Sequence, residues 1–189
     1  LMGAQIETEG GVLSCRCPDG LHGEKITLSF PSVGATENIL IAAASADGET
    51  VILNAAREPE IADLADFLCS CGAHISGADS GEIKVCGVKK LHSAEHTVIP
   101  DRIIASTHLA AAAVTGGDVR ILDTRAEHIT PVIPVFEQAG CKVDCGENSV
   151  HISAPVRLRS VQTVRTMPYP GFPTDSQAAV MAMLSVAHG

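Results

Sequence analysis

Apolar positions along the chain follow two rhythms. Val51-Ile52-Leu53 and Val119-Arg120-Ile121-Leu122 are short runs of strand length, whereas Ile61, Leu64, Ala65 and Leu68 recur at the spacing of a one-sided helix. Glu58-Pro59-Glu60-Ile61 opens that helix with a proline and acids in its first turn, and Gly72 ends it. A counterpart runs from about Thr130 to Gln138 and stops at Gly140; its Pro131 and Pro134 suit only a helix start, so it is expected to be short. Each helix leads to a hairpin. Ala73-His74-Ile75 faces Glu82-Ile83-Lys84-Val85, and Lys142-Val143 faces Ser149-Val150-His151-Ile152, across turns rich in Gly, Asp, Ser and Asn.

The pattern repeats. Leu21-His22-Gly23 is echoed by Leu91-His92-Ser93 and by Leu158-Arg159-Ser160. Each start predicts a strand, ending near Leu28, Val98 and Val164. A Pro-containing loop and an apolar helix follow: Pro31-Ser32-Val33-Gly34, Pro100-Asp101-Arg102 and Pro173-Thr174-Asp175. Gly48, Gly116 and Gly189 are expected at the positions just past these helices. The unit is β-α-β-α-β-β and the class α+β. Leu1-Met2-Gly3-Ala4-Gln5-Ile6 matches Leu68 to Ile75, a helix terminus and its hairpin strand. The chain thus reads as truncated at both ends, an internal piece of a longer repeat protein with a partial repeat at 1–20, full repeats at 21–90 and 91–157, and a partial repeat at 158–189.

One stretch is stiffer than the rest. In Tyr169-Pro170-Gly171-Phe172-Pro173-Thr174-Asp175-Ser176-Gln177 the prolines fix φ and bar their neighbours from helix. Thr174 reads as an N-cap, with Gln177 completing a capping box. Asp175 falls in the first turn, where the helix dipole favours a carboxylate. The apolar run from Ala178 to Val186 is expected to be largely buried. Asp175 either stabilises that helix end alone or is a carboxylate held at a fixed spot before a ligand. Gly34 either serves its turn or lets a ligand approach the helix N-terminus, where free N–H groups suit anions. Asp101 reads as an N-cap, with Arg102 beside it as a surface residue or an anion contact.

Composition narrows the function. The formal charge is −9, aromatics are 3% and Trp is absent, with no Lys/Arg cluster, which argues against a nucleic-acid surface. No apolar run approaches the roughly 18 residues of a membrane span. The seven cysteines, Cys15, Cys17, Cys69, Cys71, Cys86, Cys141 and Cys145, lack zinc-ribbon spacing; they are expected to be reduced and mostly buried in a cytosolic protein. No metal site, cofactor site, Walker loop or Ser/His/Asp set is read.

Four segments carry a resemblance. Pro31-Ser32-Val33-Gly34-Ala35-Thr36-Glu37-Asn38, Asn54-Ala55-Ala56-Arg57-Glu58-Pro59-Glu60-Ile61, Ile99-Pro100-Asp101-Arg102 and Pro168-Tyr169-Pro170-Gly171-Phe172-Pro173-Thr174-Asp175 resemble segments of the UDP-N-acetylglucosamine 1-carboxyvinyltransferases, in family order and spacing. The resemblance covers essentially the whole chain. It implies the enolpyruvyl transferase fold, an inside-out α/β barrel or prism of two domains, with residues 1–97 from the later part of the first and 98–189 from the early part of the second. It implies a cytoplasmic enzyme of peptidoglycan synthesis that uses no cofactor. Its small-molecule substrates would be phosphoenolpyruvate, which gives its enolpyruvyl group, and the 3′-hydroxyl of UDP-N-acetylglucosamine, which receives it.

By position, Asp175 resembles the family's base on that hydroxyl, Thr174 stands beside it, and Ser32, Val33 and Gly34 match the segment holding the uridine diphosphate. Phe30 stands where some members carry Lys, a departure that removes one basic contact from the carry-over. The family's phosphate-binding cations and its proton-donating Cys or Asp loop lie outside this segment. Two other readings stay open: a non-catalytic UDP-sugar-binding module, and the sister enzyme 3-phosphoshikimate carboxyvinyltransferase.

Overall fold

Three isoleucines in register organise the first half of the chain. Ile26 on β3 (Lys25–Thr27) stands beside Ile52 on β4 (Glu49–Leu53), and Ile52 beside Ile83 on β6 (Glu82–Cys86). Strand alternation sends all three, with Val85, to one face, where they are buried. Leu40 and Ala43 from α1 (Val33–Ala43) and Ile61 and Leu68 from α2 (Pro59–Ser70) complete this core. β3 and β4 are parallel, joined through α1; β6 runs antiparallel to both β4 and β5 (His74–Ser76), giving the sheet order β3-β4-β6-β5. Before them, β1 (Gln5–Glu9) and β2 (Val12–Arg16) form a separate exposed antiparallel hairpin.

This computed structural model describes residues 2–189, so the part of Leu1 in the expected opening helix terminus lies outside the described residues. The chain divides into two compact units, Leu1–Val98 and Ile99–Gly189. In the second, α3 (Arg102–Thr115) leads to β7 (Asp118–Leu122). Two short helices follow, α4 (Ala126–Ile129) and α5 (Ile133–Gln138), then β8 (Lys142–Cys145) and β9 (Ser149–Ser153). The short helix expected from about Thr130 to Gln138 is α5, which starts only at Ile133 with Pro134 in its first turn; α4 precedes it and ends before Pro131. The sheet is antiparallel in the order β7-β9-β8. Phe136, Val150 and Ile152 pack with Leu109 and Ala113 of α3, and with Phe172, Val180 and Met183. The last two belong to α6 (Gln177–Leu184), which packs along α3.

The repeat is visible as packing. Gly3, Gly72 and Gly140 all have positive φ, at 86°, 100° and 98°. In each case the residue before the glycine accepts a backbone hydrogen bond from a repeat start: His22 N–H to Met2 O, His92 N–H to Cys71 O, and Arg159 N–H to Ala139 O. The side chains of His22, His92 and Arg159 then lie against the three glycines. A further pair of equivalents closes the strands, Asn54 after β4 at φ 55° and Asp123 after β7 at φ 51°, residue types that tolerate the left-handed region.

Several expectations are corrected. Leu91 to Val98 forms no strand. It runs along α2 instead: Leu91 joins the first core, His96 Nε2 is 3.0 Å from Asp63 Oδ1, and the His96 ring centroid lies 5.6 Å from that of Phe67. Residues 158 to 164 form no strand because this backbone finds only the bridge from Arg159 to His188. Gly116 ends α3 in the left-handed conformation, but Gly48 and Gly189 are not helix caps. α1 and α6 stop earlier, at Ala43 and Leu184, because Asp47 and His188 are drawn into bridges with His22 and Arg159. Nor is the run from Ala178 to Val186 largely buried. Val180 and Met183 are, facing α3, while Met181 is 61% and Val186 53% exposed.

The glycine contact gives a stability prediction. Gly72→Ala forces a side chain to φ 100° and sets a Cβ 3.0 Å from His92 Nε2. It is expected to lower the free energy of unfolding by about 1–3 kcal/mol in urea titration. An unchanged midpoint would mean that this turn relaxes without cost.

Candidate functional site

α1 begins at Ser32, whose extended backbone and side chain cap it: Ala35 N–H donates to Ser32 Oγ at 3.3 Å. Thr36 braces the same turn, its hydroxyl donating to Ser32 O at 2.8 Å and accepting from Ala56 N–H at 3.0 Å. Asn54 Nδ2 donates to Leu28 O at 2.8 Å, tying the loop after β4 to the end of β3. The first two motifs are thus bound together as one support. It leaves the N–H groups of Val33 and Gly34 without an acceptor among the described residues. Gly34 is exposed, and a Cβ built on it would meet nothing within 4 Å. The fold itself therefore makes no demand for glycine at this position.

Asp175 lies in the second unit, in a 3-10 turn (Thr174–Ser176) that runs into α6. Thr174 and Asp175 are exposed, and no partner for the Asp175 carboxylate stands among the described residues. The expected capping box does not form. Thr174 lies inside the 3-10 turn, Pro173 precedes it, and neither the turn nor α6 has a side-chain cap. Other bonds hold the loop. Gly171 N–H donates to Pro168 O at 2.8 Å and Met167 N–H to Phe172 O at 2.9 Å. A Cβ on Gly171 would lie 2.5 Å from Met167 Cβ, so this bend has room only for glycine. The Tyr169–Pro170 peptide is cis, and Phe172 is buried in the core.

Two contacts from α3 complete the mounting. Asp101 caps α3, accepting from Ile103 and Ile104 N–H at 2.7 and 3.0 Å, which resolves its part as a cap. Arg102 is buried, with its guanidinium carbon 5.7 Å from the centroid of the Tyr169 ring, so it is not a surface residue. One turn later Ser106 Oγ lies 2.8 Å from Ser176 Oγ, both fully buried. The sequence reading missed Ser106, Ser176 and the burial of Arg102. The i, i+4 spacing of Arg102 and Ser106 on an otherwise Ala-rich helix is the signal that places them on one face. Ser32, Val33 and Gly34 thus sit on one mounting in the first unit, and Thr174 and Asp175 on another in the second.

A groove of about 670 Å³ in the second unit lies between residues 161–166 and α6. Gln177 lines it and Asp175 does not. The cysteines are corrected: only Cys71 and Cys141 are buried, while Cys15, Cys69, Cys86 and Cys145 are exposed. Burial pushes the Cys141 thiol up, and partial desolvation followed by the charges of Glu137 and Asp144 pushes up that of Cys145. Both effects oppose the reactive thiolate. Among the described residues no group of three His, Cys, Asp or Glu could hold a metal ion, and no helix is long and apolar enough to cross a membrane.

Known proteins share this architecture and sequence. An enolpyruvyl transferase, NikO from Streptomyces tendae, superposes over the whole chain with a TM-score of 0.84 at 23% identity, covering 47% of that structure, which speaks for the fold. EPSP synthase from Acinetobacter baumannii superposes with a TM-score of 0.63 at 25% identity, again over the whole chain and 44% of that structure. In sequence, the chain is 48% identical over its full length to UDP-N-acetylglucosamine 1-carboxyvinyltransferase of Finegoldia magna and 50% identical to UDP-N-acetylglucosamine 1-carboxyvinyltransferase 1 of Caldanaerobacter subterraneus. It spans about 45% of the length of each. The family model described as EPSP synthase (3-phosphoshikimate 1-carboxyvinyltransferase) matches residues 1–189, and the chain belongs to that family.

Proposed function

We propose that this chain is part of an enzyme that transfers the enolpyruvyl group of phosphoenolpyruvate to the 3′-hydroxyl of UDP-N-acetylglucosamine, releasing phosphate, in cytoplasmic peptidoglycan synthesis. The observation that carries the choice of acceptor is the 47–50% identity across the entire chain to enzymes bearing that name. On this reading residues 1–97 belong to the later part of one domain and 98–189 to the early part of the next.

The residues divide the work. A sugar hydroxyl is too weak an acid to attack unaided, so a positioned base must take its proton. Asp175, exposed, unpartnered and rigidly mounted, accepts that proton as the 3′-oxygen bonds to C2 of phosphoenolpyruvate. C3 takes a proton from an acid that none of these residues supplies. Loss of phosphate from C2 and of a proton from C3 then restores the double bond. Thr174 flanks the sugar. Ser32, Val33 and Gly34 receive the diphosphate on two N–H groups at the positive end of α1. The open space at Gly34 supports this part: the fold needs no glycine there, whereas backbone contact with a phosphate does.

Two experiments in the full-length protein carrying this chain test these roles. Asp175→Asn is expected to cut kcat about 10²–10⁴-fold with shape retained, the range for losing a general base; near-normal turnover would remove Asp175 from the chemistry. Gly34→Val is expected to raise KM for UDP-N-acetylglucosamine at least about tenfold, roughly 1.4 kcal/mol of binding. Because its Cβ meets no protein atom, the melting temperature is expected to stay close to the parent value. An unchanged KM would place the nucleotide elsewhere. Turnover with shikimate 3-phosphate in place of the UDP-sugar would transfer the assignment to the sister reaction.

A further inference from the structure

Ser176 follows the exposed Asp175 directly, yet its own side chain is fully buried. Its hydroxyl oxygen lies 2.8 Å from that of Ser106 on α3. Ser106 Oγ is also 2.9 Å from Ile103 O, a carbonyl that can only accept. Each serine hydroxyl has one proton to give. Ile103 O also accepts from Thr107 Oγ1 at 2.8 Å, and either serine can be the donor in the contact between them; with Ser106 donating to Ile103 O, Ser176 donates to Ser106. The contacts link the residue after the carboxylate, through Ser106, to the backbone of α3. Four residues before Ser106, Arg102 lies over Tyr169 at the other end of the same loop.

We propose that Ser106 is a positioning residue for the Asp175 carboxylate, acting through Ser176, with Arg102 and Tyr169 as the second point of attachment. This rests on the reading of Asp175 as the base. Ser106 is buried behind the turn, against Ser176. Its part is to stop the 3-10 turn from rotating, which would swing the carboxylate away from the line of proton transfer. Tight placement matters because a misplacement of about 1 Å at a reacting group can cost roughly a hundredfold in rate.

The test uses the full-length protein, with Asp175→Asn as the reference. Ser106→Ala is expected to lower kcat about 10–100-fold while KM for both substrates stays within about threefold, the pattern of a group felt in the transition state. Ser106→Thr keeps the hydroxyl and is expected to restore kcat to within about threefold of the parent. The double variant Ser106→Ala with Ser176→Ala removes both polar atoms, so its melting temperature should return close to the parent value. Its kcat should stay low, since the tether is still missing. If kcat recovers together with the melting temperature, the pair is only structural and the proposal is overturned. Normal kcat in Ser106→Ala alongside a crippled Asp175→Asn also overturns it while leaving the base assignment intact. Normal kcat in Asp175→Asn overturns both.

Discussion

Ser176 is fully buried one residue beyond an exposed aspartate, and its hydroxyl is 2.8 Å from that of Ser106. Around this contact the second unit makes mechanical sense. α3 is Ala-rich, so α6 approaches it closely, and the two serines meet inside that contact. Leaving either hydroxyl buried without a partner would cost about 1–3 kcal/mol, so the pair selects one seating of the turn among the alternatives. Arg102 against Tyr169 fixes the other end of the loop. The carboxylate between these anchors stays in solvent, where it can meet a substrate.

The first unit solves a related problem with backbone. The buried Thr36 hydroxyl joins the capping turn of α1 to Ala56 in the neighbouring loop, so two motifs far apart in sequence brace each other. What they hold open is a pair of N–H groups beside a glycine for which the protein interior has no use. An anion bound there would meet backbone donors already fixed in place, so little ordering would be needed on binding.

The repeat could be read from the sequence because its markers act locally. A glycine at positive φ, with His22, His92 or Arg159 lying against it, recurs three times, and the hairpins follow from turn residues and alternation. Failures came where a segment's fate depended on distant partners. The stretch from Leu91 to Val98 has strand-like composition, yet Asp63 and Phe67 of α2 claim His96. The helix ends at Ala43 and Leu184 were misjudged because bridges to His22 and Arg159 pulled the following residues away. At the candidate site, the stiffness of the Asp175 loop followed from its prolines. The Ser106–Ser176 contact spans 70 residues and leaves no local trace beyond a serine at a helical spacing from Arg102.

The central claim is that the Asp175 carboxylate stands beside the acceptor hydroxyl. A crystal structure of the full-length protein with UDP-N-acetylglucosamine bound tests it most directly. An Asp175 carboxylate oxygen is expected within about 3.2 Å of the sugar 3′-oxygen, hydrogen-bond reach for proton transfer. A bound sugar whose 3′-oxygen is turned away from Asp175 and bonded to another base would contradict it.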